Sequence, residues 1–201
     1  MNTATDVRRH ILEVGQQLIQ DKGFVAVGLS QLLAAAAVPK GSFYYYFASK
    51  EAFGEALLTF YFDGYIAEVR TILRDESLSP AARLLRYGEA WMQSQCGDEA
   101  KAKCLVVKLG AEVADLSEAM RAVLKKGTNA TIAEVATCIR AGLADGSLAG
   151  IAEPEQAAVA LYEYKLGVSL LAKLRRDKSA FDGYEVAIRR LLNIDLTSSP
   201  V

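Results

Sequence analysis

Between Gly28 and Lys50 the chain has room only for two short helices joined by a tight break. The stretch reads Gly28-Leu29-Ser30-Gln31-Leu32-Leu33-Ala34-Ala35-Ala36-Ala37-Val38-Pro39-Lys40-Gly41-Ser42-Phe43-Tyr44-Tyr45-Tyr46-Phe47-Ala48-Ser49-Lys50. Ser30 to Ala36 has helical spacing, with Leu29, Leu32 and Leu33 inward. A break falls near Ala37-Val38, and Pro39 suits the first turn of the next helix, where a missing N–H costs nothing. Small residues at Ala36 and Ala37 let the helices approach closely. Leu32, Leu33, Val38, Phe43 and Phe47 are spaced to close a miniature core with a preceding helix. Successive residues of a helix step about 100° around its axis, so Tyr44, Tyr45 and Tyr46 cannot all enter that core. Some of them must meet solvent or a partner.

The remaining sequence is helical by the same criteria. Val7, Ile11, Val14 and Leu18 predict a helix over 4–22, opened by a capping-box-like pair, Thr3 and Asp6, and ended at Lys22-Gly23. Ser49 caps a long helix to about Arg74, and Ser79-Pro80 opens another to about Gln95 with Leu84, Tyr87, Ala90 and Trp91 as its stripe. A charged loop, Gly97 to Lys103, precedes a helical segment from Cys104 to Ala114. Ser117 caps a helix carrying Met120, Leu124, Ile132, Val135, Ile139 and Leu143, stopped by Asp145-Gly146. Glu153-Pro154 starts a helix to about Lys173, and a last one covers Phe181 to Leu192. No window alternates with period two. The expected class is all-α, with a helix-turn-helix head at 1–50 and a helical body at 51–201.

Composition narrows the function. In 201 residues, 52% are apolar and 23% charged, enough to build a folded core. The longest apolar runs fall far short of the roughly 18 to 20 residues a membrane span needs, and the polar start from Met1 to His10 does not read as a signal peptide. A cytoplasmic protein is expected. Net charge is −1, divided as +2 over residues 1–50 and −3 over the rest. A basic end on an acidic body suits a protein that touches phosphates with one small face. Cys96, Cys104 and Cys138 cannot all pair with one another, and with a single His they fit no zinc pattern. Without a Gly-rich phosphate loop or paired carboxylates in an apolar setting, no enzyme, metal or cofactor is expected.

Val38, Lys40-Gly41, Ser42, Phe43, Tyr44, Tyr45, Tyr46, Phe47 and Lys50 together resemble the signature of the TetR family of transcriptional regulators. Tyr46 stands where many members have His, and a phenol can still donate to a phosphate. The resemblance implies that Ser30, Lys40 and Ser42 face base edges, that Gly41 lets the backbone come close, and that Tyr44, Tyr45, Tyr46 and Lys50 hold the DNA backbone. It also implies a homodimer through the last two long helices, with Gly167 and Ala172 permitting close packing, on double-stranded, palindromic operator DNA.

In the body, Cys104 draws notice because Lys101, Lys103 and Lys108 surround it at the start of a helix, all of which favour thiolate over thiol. Alternatively it opens the apolar run Cys104-Leu105-Val106-Val107 and is simply buried. The segment Cys104 to Arg121, with Val38 to Tyr44, Lys50 to Gly54, Leu161-Tyr162 and Leu166-Gly167 to Ala172-Lys173, resembles the N-ethylmaleimide reductase repressor branch of the family, whose members sense electrophiles and oxidants through cysteine. Acrylate-responsive repressors share much of this pattern, so a reversible small-organic-ligand pocket stays open as the alternative. The expected effector is therefore a small electrophile or other small molecule. Cys96 is a candidate partner thiol, and Cys138 lies on the stripe with Val135 and Ile139. Lys173 either pairs with Cys104 or faces the dipole at a helix C-terminus.

Overall fold

The computed structural model describes residues 4–96 and 104–195, and among these every regular element is helical. The helices are α1 (Ala4–Lys22), α2 (Leu29–Ala36), α3 (Lys40–Tyr46), α4 (Lys50–Leu73), α5 (Pro80–Cys96), α6 (Leu105–Ala114), α7 (Glu118–Asp145), α8 (Pro154–Arg175) and α9 (Tyr184–Leu191). Three of the serine caps are present: Ser49 Oγ accepts from Ala52 N at 3.0 Å, Ser79 Oγ from Ala82 N at 3.3 Å, and Ser117 Oγ from Met120 N at 3.3 Å. Thr3 of the expected first cap, and the loop from Gly97 to Lys103, lie outside the described residues.

The end of the chain differs from the expected helix over Phe181 to Leu192. Ser179–Phe181 form a 3-10 turn, and α9 begins only at Tyr184 because Gly183, at φ 75°, turns the backbone into the left-handed region. Phe181 still packs inward, edge-on to Trp91 at 6.0 Å.

Two compact units emerge, each with its own core. The described residues within Met1–Gly64 and Asp98–Gly127 form the first, so α6 and the start of α7 fold together with the head. Those within Tyr65–Gly97 and Thr128–Val201 form the second. In the second, Leu84, Tyr87 and Trp91 of α5 pack with Val135 and Ile139 of α7, Leu161 of α8 and Tyr184 and Ile188 of α9.

The first core joins Ile11, Leu12 and Ile19 of α1 to Leu32, Phe43, Phe47 and Phe53, all fully or nearly fully buried. Leu29, Leu33 and Val38, expected inward, are only half-buried. The reason is the turn itself. Ala37 closes α2 in the left-handed conformation (φ 52°, ψ 41°), with Ala37 N bonded to Ala34 O at 3.3 Å and Val38 N to Leu33 O at 3.2 Å. This swings the chain so that Phe43, not Val38, fills the centre. His10 Nε2 donates to the Ala36 carbonyl at 3.0 Å and ties α1 to the same corner.

An L-residue other than glycine pays about 1–2 kcal/mol in that conformation, and a β-branched one pays more. Ala37→Val should therefore lower the thermal midpoint while Ala37→Gly leaves it unchanged or raises it. Equal losses in both variants, measured by thermal unfolding, would show that the turn does not constrain the head.

Candidate nucleic-acid interface and sensing residues

Helix α3 divides its aromatic residues between two environments. Phe43 is 0% exposed and Phe47 2%, and their rings lie 5.2 Å apart, with Phe53 at 5.6 Å from Phe43. Tyr44 is 47% exposed and Tyr45 77%. Tyr46 is half-buried, its ring edge-on to Tyr45 at 4.9 Å. Lys40 is exposed in the first turn of α3, its ammonium 5.9 Å from the Tyr44 ring. Ser30 of α2 is exposed and Ser42 half-buried. A side chain at Gly41 would meet nothing within 4 Å, so the fold itself does not call for glycine there. The outer surface of α3 is thus a lysine, a bare backbone position and two phenols, a set of groups that donate to phosphate and to base edges.

Lys50 is placed differently from these. Its Nζ donates to the carbonyl of Phe24 at 2.8 Å, approaches that of Val25 at 3.5 Å, and lies 4.7 Å from the Phe24 ring. Burial draws its pKa below the ordinary lysine value, partly offset by the charge of Glu112. The same turn is held by Glu112 of α6, whose carboxylate accepts from Phe24 N at 3.1 Å and from Val25 N at 2.6 Å. Glu112 is not among the residues that sequence pattern singles out. Its one local signal is its position four residues after Lys108, in an otherwise largely apolar helix.

This head has a clear counterpart among known proteins. Residues 11–57 match the model of the bacterial regulatory proteins of the tetR family, and residues 80–188 match the tetracyclin repressor-like C-terminal domain. The chain belongs to the TetR family. It is 39% identical over 196 residues to the HTH-type transcriptional repressor NemR of Escherichia coli, covering 98% of this chain and 97% of that one. It is 36% identical over 122 residues to the transcriptional regulator AcuR of Cereibacter sphaeroides, covering 60% and 55%. The crystal structure of the reduced form of E. coli NemR superposes with a TM-score of 0.88 at 38% identity, over 96% of this chain and 99% of that one. Members of the TetR family bind operator DNA and act as dimers. No helix among the described residues is long and apolar enough to cross a membrane, and no group of three or more His, Cys, Asp or Glu among them could hold a metal ion.

The cysteines of this TetR-family chain sit in contrasting places. Cys104 is half-buried at the N-cap of α6 (φ −55°, ψ 111°), its carbonyl accepting from Lys108 N at 3.1 Å. Cys138 is 4% exposed, with Sγ 3.5 Å from the Pro80 carbonyl, and burial pushes its thiol up to about 11. Cys96 is the last residue of α5. Lys173 is exposed in the last turn of α8, beside Arg175. Lys101 and Lys103, expected to bear on Cys104, lie outside the described residues.

Because only a thiolate attacks and only an accessible one is reached, Cys104 should be alkylated by iodoacetamide at pH 8 well before Cys138. Peptide mass spectrometry over time checks this. Modification of Cys138 at the rate of Cys104 in folded protein would contradict the burial contrast.

Proposed function

We propose that the chain is a cytoplasmic, dimeric repressor that releases a palindromic operator when a reactive electrophile or oxidant modifies Cys104. The observation that carries the DNA-binding half is the division of α3, with Phe43 and Phe47 buried and Lys40, Tyr44 and Tyr45 turned outward. A helix that only completed a core would not leave two adjacent phenols exposed beside a lysine. In this reading residues 1–50 carry the DNA contacts. Lys40, Ser42 and Ser30 read base edges, Gly41 admits the DNA backbone, and Tyr44, Tyr45 and Tyr46 hold phosphates. Lys50 holds phosphate with the N–H groups that its bond to the Phe24 carbonyl leaves over, while gripping the α1–α2 turn.

Dimerisation through α8 and α9 is supported by their open apolar surface, where Leu170, Leu171 and Leu174 of α8 and Val186 and Leu191 of α9 are exposed. Gly167, with open space around it, permits close approach of a second copy. Two-fold symmetry then presents two heads to two half-sites.

An electrophoretic shift with the DNA upstream of the chain's own gene tests the head. Lys40→Ala should change which base is preferred, at a cost of about 1–3 kcal/mol. Tyr45→Phe should weaken binding on all sequences alike. Wild-type binding by both variants would remove α3 from the interface.

Support for the trigger comes from Cys104 at a helix start while Cys138 is buried, and from the relative of 39% identity having been solved in a reduced form. The Cys104 thiol gives its proton to water and the thiolate sulfur adds to an electrophilic carbon, a C–S bond forming as the C=C π bond opens and the neighbouring carbon takes a proton back from water. N-ethylmaleimide should free wild-type protein from operator and leave Cys104→Ser bound. Equal release of both would point instead to a reversible pocket for small organic acids.

A further inference from the structure

We propose that Glu112, with Lys108 one turn before it, is the positioning residue pair that couples α6 to the DNA-binding head and sets its operator-competent orientation. Only the effector arm of the test below rests on the sensing role given to Cys104. Leu105, Leu109 and Val113 are buried on one face of α6, while Lys108 and Glu112, four residues apart, share another face and reach the head together.

The two side chains grasp one short piece of backbone. The Glu112 carboxylate takes the successive amides of Phe24 and Val25, at 3.1 and 2.6 Å, just past the end of α1. Lys108 Nζ donates to the carbonyl of Asp21 at 3.0 Å, among the last carbonyls of α1 that the helix itself leaves open. Lys50, the first residue of α4, holds the carbonyl of Phe24. The turn between α1 and α2 is thus held at its amides by α6 and at its carbonyl by α4. Ser117, ahead of α7, adds a further link by donating to Glu51 in the first turn of α4. Gly23 makes this geometry accessible. Its φ is 94°, and a Cβ there would lie 3.1 Å from a Glu112 carboxylate oxygen.

These charge-assisted bonds are stronger than neutral ones and steep in distance, so a displacement of α6 by about 1 Å takes both amides out of range. Cys104 caps the same helix and its carbonyl bonds the amide of Lys108. A group added to the sulfur displaces the first turn of α6, and a rigid helix carries that displacement about 12 Å on to Glu112. The head then loses the contact that fixes the start of α2, on which α3 is built.

The full-length protein tests this by two routes. Without effector, Glu112→Ala should lose about ten-fold or more in operator affinity, and Glu112→Gln, which keeps one acceptor for the two amides, should lose less. Hydrogen exchange at the amides of Phe24 and Val25 should be slow in the wild type and accelerate about ten-fold or more in Glu112→Ala. The same two amides should accelerate in wild type released by N-ethylmaleimide, while the middle of α1 stays protected. If Glu112→Ala does not fold, Glu112→Gln and wild-type exchange decide. Undiminished operator affinity in Glu112→Gln and Glu112→Ala, or protected Phe24 and Val25 amides in released wild type, would overturn the proposal. Failure of N-ethylmaleimide to release wild type would instead strike at the role of Cys104, leaving the effector-free measurements to judge Glu112.

Discussion

A seven-residue helix has almost no stability of its own, since isolated helices below about 12–15 residues are marginal in water. Helix α3 exists because Phe43 inserts between Phe47 and Phe53 and is wholly removed from solvent. The outward face of α3 hangs on that insertion. With Phe43 anchored, its neighbours step about 100° to either side, which leaves Ser42 half-buried and Tyr44 exposed, and turns Tyr45 fully outward. The buried and the outward faces of α3 are therefore consequences of one rotational setting of one short helix.

That setting is fixed by the surroundings more than by α3. Ala37 accepts a left-handed conformation that costs energy, His10 ties α1 to the end of α2, and the α1–α2 turn is held by Lys50 and Glu112. The head's compact unit takes in the first half of α4, α6 and the start of α7. Helices α3 and α6 thus belong to one compact unit, where interiors are close-packed and small displacements are transmitted instead of absorbed.

The cysteines illustrate how environment assigns chemistry to identical side chains. Cys138, buried beneath the start of α5 with a raised pKa, is a small apolar filler. Cys104 sits at the N-cap of a helix and remains half-accessible. The second unit, built around Trp91 and Tyr184, supplies instead the apolar faces of α8 and α9.

Local sequence determined a great deal here. The serine caps, the proline at the start of α8, the glycine stops and the 3.6-residue periodicity act over a few residues each, so the helices and the helix-turn-helix could be read directly, and three consecutive tyrosines alone required an outward aromatic face. Tertiary structure decided what depends on residues far apart in the chain. Leu33 and Val38 carry the right spacing for the core, yet the turn at Ala37 leaves them at its edge. Lys50 stands in the family signature, and only the fold shows that its ammonium also reaches the Phe24 carbonyl, 26 residues away. Glu112 looks like an ordinary polar residue of α6 until the fold brings it, across 88 residues of sequence, onto two backbone amides. Periodicity records which face of a helix is apolar, but it holds no information on which distant backbone that helix will meet.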